Sequence, residues 1–407
     1  MRFFSATFFC ARKNASHFSL SGAKKRHIQL ECYAILREKM KDQRLDIFVL
    51  KIYPKVFILE GDFMKRIVFI FTFMVINLFT AFCGGIQQKG LVNTQEIKLD
   101  RIDAIEIRYN SEEITVLNNN SDTLVIKEYM TDNNSDYYAK ITNSGNKLIV
   151  EAGRRPLFNA SFRVSIEVYI PVTNKNITIK TSSGRIEAAS EYTVSSMNIE
   201  SSSGSISVNS ITADKVNLKS SSGDINCHKA NGNTTIETSS GSIVCSITNG
   251  DLLVKSSSGG ISLDQVSGSL NASARSGRLR SGAIGGNADI HTSSGSIVVN
   301  GVNGNFTAET SSGSVYCVAA ENAGDITITT SSGDVILDIP RNFVFNFSSR
   351  SSSGNLHTPF SDRLFSPLSD KNSVQGVIGN DNASQKLFYK NISIKTSSGS
   401  IRVNWIN

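Results

Sequence analysis

Thr238-Ser239-Ser240-Gly241-Ser242-Ile243-Val244-Cys245-Ser246-Ile247-Thr248-Asn249-Gly250-Asp251-Leu252-Leu253-Val254-Lys255-Ser256-Ser257-Ser258-Gly259 decides the fold of this 407-residue chain. Apolar residues stand two and four places after each inner glycine: Ile243 and Cys245 after Gly241, Leu252 and Val254 after Gly250. Alternation over a short run bounded by turn residues predicts a half-buried strand. Glycine at each corner supplies the freedom a tight turn needs.

The unit recurs along the chain. Corner glycines of the T/S-S-S-G type are Gly184, Gly204, Gly223, Gly241, Gly259, Gly277, Gly295, Gly313, Gly333, Gly354 and Gly399, and eight of their ten gaps are 18 to 20 residues. Halfway between runs a second series: Gly232, Gly250, Gly268, Gly286, Gly304 and Gly324. A fixed short period marks a repeat architecture. Two nine-residue units make an 18-residue coil, and coils stacked about 4.8 Å apart give parallel sheets around a thin apolar seam. The expected fold is all-β, a two-sheet β-solenoid with the Ser and Thr hydroxyls of successive corners in ladders. About ten coils would extend roughly 50 Å at that rise. Propeller blades need about 40 residues each, which this period does not provide.

Residues 101–180 break the period but hold strand-like runs, and are expected to begin and cover the stack as an N-terminal cap. The repeats proper run 181–354. Residues 355–395 are expected as a long excursion loop, and 396–407 as a final coil whose Ile401, Val403 and Trp405 form the last strand, with Trp405 as a plug.

Net charge is +7, but residues 1–63 hold 12 Lys/Arg against 6 Asp/Glu, and Lys65 and Arg66 add two more. From Ile67 onward there are 28 Lys/Arg against 29 Asp/Glu. The basicity belongs to the front, and a near-neutral solenoid argues against a nucleic-acid partner. Met64-Lys65-Arg66, the apolar run to Phe82 and Cys83 have the layout of a secretory signal over 64–83. Residues 84–100 then form a linker. Met64 is the expected initiator, with 1–63 an upstream extension; the rival is a real tail with 67–82 as a membrane anchor. Phe79-Thr80-Ala81-Phe82-Cys83 resembles a lipoprotein signal, although Phe82 and Thr80 depart from the usual pattern. Lipidation at Cys83 and ordinary cleavage nearby both stand.

Cys227 and Cys245, 18 residues apart, should stack on adjacent coils. Parallel side chains suit buried free thiols better than a disulfide. No catalytic motif occurs, and no metal or cofactor site is expected. His228 and His291 have no evident partner in the sequence. At Ala274-Arg275-Ser276-Gly277-Arg278-Leu279-Arg280 three arginines interrupt the neutral repeat. Arg275, Arg278 and Arg280 could grip an acidic glycan or phosphate by forked hydrogen bonds, or discourage lateral sheet aggregation.

The serial T-S-S-G-x-I turns, Val168-Tyr169-Ile170-Pro171 leading into Ile177–Gly184, and the closing Ile394–Ile401 resemble the bacterial putative-adhesin domain family over roughly residues 100–407. The resemblance implies an exported β-solenoid of the cell envelope and brings no catalytic residues. A non-enzymatic adhesin or surface scaffold is the expected function. Its expected partners are the membrane, through a lipid anchor or signal segment, and a host or cell-surface glycan or protein. Alternatives are an envelope-stress or membrane-associated regulatory protein and, less favoured, a carbohydrate-active β-helix enzyme.

Overall fold

The computed structural model describes residues 4–20, 23–38 and 49–52 by their backbone, and residues 89–156, 162–171, 175–367, 372–379 and 389–406 with side chains. The chain divides into two units, Met1–Ile86 and Gln87–Asn407. In the first, Phe4–Leu20, Ala23–Glu38 and Val49–Ile52 form an antiparallel sheet. The expected signal segment, with Cys83, lies outside the described residues.

The second unit is a β-solenoid. Strand Ile243–Asn249 pairs in parallel with the strands one coil away on either side, setting Cys245 opposite Cys227 and Leu263. Strand Leu252–Ser256 does the same, with Val254 opposite Ile236 and Ala272. The first inward column is Ile206, Ile225, Ile243, Ile261, Leu279, Ile297, Val315 and Val335, all buried. A single coil has nothing to bury these residues against, so stability comes from stacking.

The two halves of a coil are unequal. Inward positions of the longer strand run Ile243, Cys245, Thr248, and the pairing skips Ser246. The slip of one residue marks a bend, with Ser246 and Ile247 half-buried at it. Leu252–Ser256 keeps strict alternation and runs straight.

The expected hydroxyl ladder exists, but its rungs point inward. At most T/S-S-S-G corners the first residue is the one that bridges coils; the Ser201 hydroxyl is buried there without a partner among the described residues. Thr310 Oγ1 donates to the Gly295 carbonyl at 3.3 Å and accepts from the Gly313 N–H at 3.1 Å. Ser220, Thr238, Thr330, Ser351 and Thr396 repeat both bonds. Each hydroxyl satisfies two main-chain groups that water cannot reach. Thr310→Val, which keeps the shape and removes the hydroxyl, is expected to cost about 1–3 kcal/mol. Ala274 is the corner without a hydroxyl, and Ala274→Thr should gain about 0.5–1.5 kcal/mol. Urea midpoints measure both, and an unmoved midpoint for Thr310→Val would contradict the bridging role.

At the N-terminal end irregular strands cover the stack. Asn176–Thr181 pairs with Ser196–Ser201 on one side and Ala104–Arg108 on the other. Beyond Ala104–Arg108 lie Lys147–Glu151 and then antiparallel Lys140–Ser144. On the other half of the coil Glu113–Asn119 is followed by Val164–Pro171, then antiparallel Thr123–Met130 and Gly90–Lys98. Glu106 is buried here between Arg108, at 2.7 Å, and Lys147. The Arg108 hydrogen bond outweighs burial and, with Lys147, holds the carboxyl at about 2.

The C-terminal end corrects the expected order. Lys390–Thr396 lies between Ile326–Thr330 and Phe345–Ser351, and Ile401–Ile406 lies between Val335–Pro340 and Leu356–His357. The last coil in the sequence is therefore inserted beneath the one before it, and Trp405 is not in the outermost strand. The coil begins at Lys390 rather than 396, and the excursion contributes Ser373–Ile378 as an antiparallel strand against Phe345–Ser351. Antiparallel strands thus rim both halves of the N-terminal end and one half of the C-terminal end, where an open parallel edge would invite pairing with other chains.

Candidate functional site

The residue just before each T/S-S-S-G corner faces outward on the straight strand. Parallel register brings these residues into one column: Glu151, Arg108, Lys180, Glu200, Lys219, Glu237, Lys255, Ser273, His291, Glu309. Signs largely alternate. Arg108 meets Glu151 at 2.9 Å and Lys180 meets Glu200 at 3.1 Å. Glu237 lies 3.5 Å from Lys219 and 3.6 Å from Lys255. Burial pushes the Glu200 carboxyl up, but the Asn198 amide and the Lys180 ammonium hold it below the usual range. Exposed pairs of this kind add little stability individually and fix the register of the face.

The column is interrupted at Ser273, and the adjacent corner residue is Ala274. Two small side chains on one coil leave an open cleft of about 480 Å³, rimmed by Lys255, Arg275, His291 and Glu309. His291 has partners that the sequence did not suggest: Nε2 lies 2.9 Å from Asp289 and Nδ1 lies 3.2 Å from Glu309. The Arg275 side chain makes no hydrogen bond or ion pair among the described residues. A floor of serine hydroxyls beneath Lys255 and Arg275 can hold an anion.

All three arginines of the predicted patch are exposed. Arg275 precedes the Gly277 turn and faces the cleft, whereas Arg278 and Arg280 follow it, with Arg280 between Ser262 and Val298 in register. Cys227 and Cys245 are register partners and both are buried and free, as is Cys317. A hydrogen bond to Cys245, together with burial, pushes the Cys227 thiol up, and burial does the same to Cys317. Such thiols are poor nucleophiles. The predicted corner glycines form one continuous column, whose last members are Gly333, Gly399 and Gly354 in space. No group of His, Cys, Asp and Glu that could hold a metal occurs among the described residues. None of their helices is long and apolar enough to cross a membrane.

The profile of one sequence family, Toastrack DUF4097, matches residues 102–281 and again 233–404, together about three quarters of the chain. The two matches overlap, as befits a stack of interchangeable coils. No curated protein matches the chain. Similar solved structures include a "putative cell adhesion protein" from Clostridium sporogenes, 9% identical with a TM-score of 0.18, covering 77% of this chain and 98% of that one. A "putative adhesin" from Parabacteroides distasonis is 17% identical with a TM-score of 0.35, covering 54% and 96%. Another from Bacteroides fragilis is 14% identical with a TM-score of 0.28, covering 77% and 96%.

Proposed function

Because the chain belongs to the Toastrack DUF4097 family, we propose that it is a non-enzymatic adhesive scaffold displayed on the bacterial cell envelope. A signal ending near Cys83 exports it, and a lipid on that cysteine tethers it. The observation that carries this reading is the face chemistry of the stack. Its column of charges largely alternates in sign from Glu151 to Lys255 and is broken at Ser273, beside a cleft where the Arg275 guanidinium has no partner among the described residues. A rigid face with an unpaired guanidinium at its break suits contact with an anionic surface.

Protease treatment of intact cells tests the location. Peptides from the coils should be released without permeabilisation. Protection until the outer envelope is breached would overturn the reading.

A further inference from the structure

The C-terminal end of the stack carries a second arrangement with binding chemistry. Phe345 and Phe347 of the outermost coil pack edge-on against Phe360, with ring centroids 5.6 and 5.2 Å apart. Trp405, from the inserted coil, meets Phe360 at 5.5 Å and Phe345 at 6.3 Å. The three phenylalanines are buried and Trp405 is half-buried. The indole is therefore held rigidly from behind while part of it faces solvent.

Two shallow cavities flank it. One, about 360 Å³, is lined by Arg341, Asp362 and Arg363; the other, about 430 Å³, by His357, Arg402 and Asn404. Arg341 and Trp405 line both. Arg363 donates to the Gly379 carbonyl at 3.3 Å, whereas the Arg341 and Arg402 side chains have no partner among the described residues. Across the two cavities three arginines face one carboxylate, Asp362.

We propose that this tip binds acidic carbohydrate of the uronate type, and the proposal rests on the surface-display reading above. A pyranose ring lies against the exposed indole, its carboxylate is gripped by the forks of Arg341 and Arg402, and hydroxyls of a neighbouring sugar meet Asp362 and Arg363. The assignment follows from what each alternative would leave unused. An anion without a ring makes no use of the indole, and a neutral sugar leaves Arg341 and Arg402 unpaired. An aromatic platform with a few converging polar groups is the usual construction of an orienting site, and planar guanidinium matches a carboxylate in two bonds. The site is at the opposite end of the stack from Gly90–Lys98, the first strand of the same unit.

Isothermal titration of the purified full chain with polygalacturonate, dextran and inorganic phosphate tests the proposal. Polygalacturonate should bind, and dextran and phosphate should not. An Arg341→Ser/Arg402→Ser variant of unchanged melting temperature should bind about tenfold more weakly or worse, as expected for the loss of charge-assisted bonds. Trp405→Ala should also weaken binding; if it also lowers stability, the arginine pair decides. Unchanged affinity in the pair overturns the proposal, as does loss only in an Arg275→Ser/Arg278→Ser/Arg280→Ser variant, which would favour the cleft. Equal binding of dextran or phosphate, or no binding of polygalacturonate, also overturns it. Cell-surface proteolysis is independent of all these outcomes, so failure of the tip site and failure of surface display are distinguishable.

Discussion

Alanine at Gly259 should cost on the order of 4 kcal/mol or more, whereas alanine at the very next residue, Gly260, should change stability by less than about 1 kcal/mol. A Cβ on Gly259 would lie 1.8 Å from the carbonyl oxygen of Gly241 and 2.4 Å from its carbon. Those are main-chain atoms of the neighbouring coil, held by the ladder on both sides, and no rotamer change relieves the overlap. The same approach recurs at Gly204 on Gly184, at 1.8 Å, and at Gly313 on Gly295, at 1.9 Å. At Gly260 the nearest atom, the Arg278 carbonyl oxygen, stands 3.5 Å away, an ordinary contact. Alanine there mainly restricts the unfolded chain. Urea denaturation of the two variants measures the contrast, and equal effects would show that close coil contact is not what requires glycine at Gly259.

Ile394→Asp should loosen the whole C-terminal end rather than the last strand alone. Ile394 is fully buried, opposite Ile328 on one side and Ser349 on the other. A carboxylate there has no partner to compensate its desolvation, which costs several kcal/mol by the usual scale for buried charge. Because the coil is inserted, its loss also removes the floor of Phe345–Ser351 and the roof of Ile326–Thr330. Hydrogen exchange should report lost protection in both of those segments, with Ile243–Asn249 unaffected because coils interact only with their neighbours. Retained protection at Phe345–Ser351 would contradict the insertion.

The corner glycines and inward apolar pairs were legible in the sequence because every coil meets the next in the same way, so the residues that contact demands recur at a fixed spacing. Gly259 is glycine because it crosses Gly241 of the neighbouring coil, and the same crossing repeats at each corner. The charged column was not legible in the same way. Lys219, Glu237 and Lys255 look like scattered polar residues until segments 18 apart are aligned, and only then does the alternation of sign emerge. The cleft was half visible: Arg275 stood out, but its depth comes from what Ser273 and Ala274 lack. Insertion of the last coil was illegible because Ile392–Ile394 and Phe345–Phe347 present equivalent inward pairs to either neighbour. Size decides between them. The two phenylalanines occupy the end of the stack, where Phe360 and Trp405 complete the packing around them. The tip site was missed with it, since it depends on Trp405 lying under the outermost coil.

Between Gly223 and Gly313 every coil is 18 residues long, so the backbone columns tolerate gain or loss of one whole coil, which changes the reach by about 4.8 Å. The ion pairs follow a different count. Removing 223–240 would delete Glu237 and set Lys219 against Lys255, whereas duplicating 223–258 would continue the alternation of sign. Hereditary variation in the length of such a molecule is thus quantised twice, by single coils for its steric skeleton and by pairs of coils for its electrostatics.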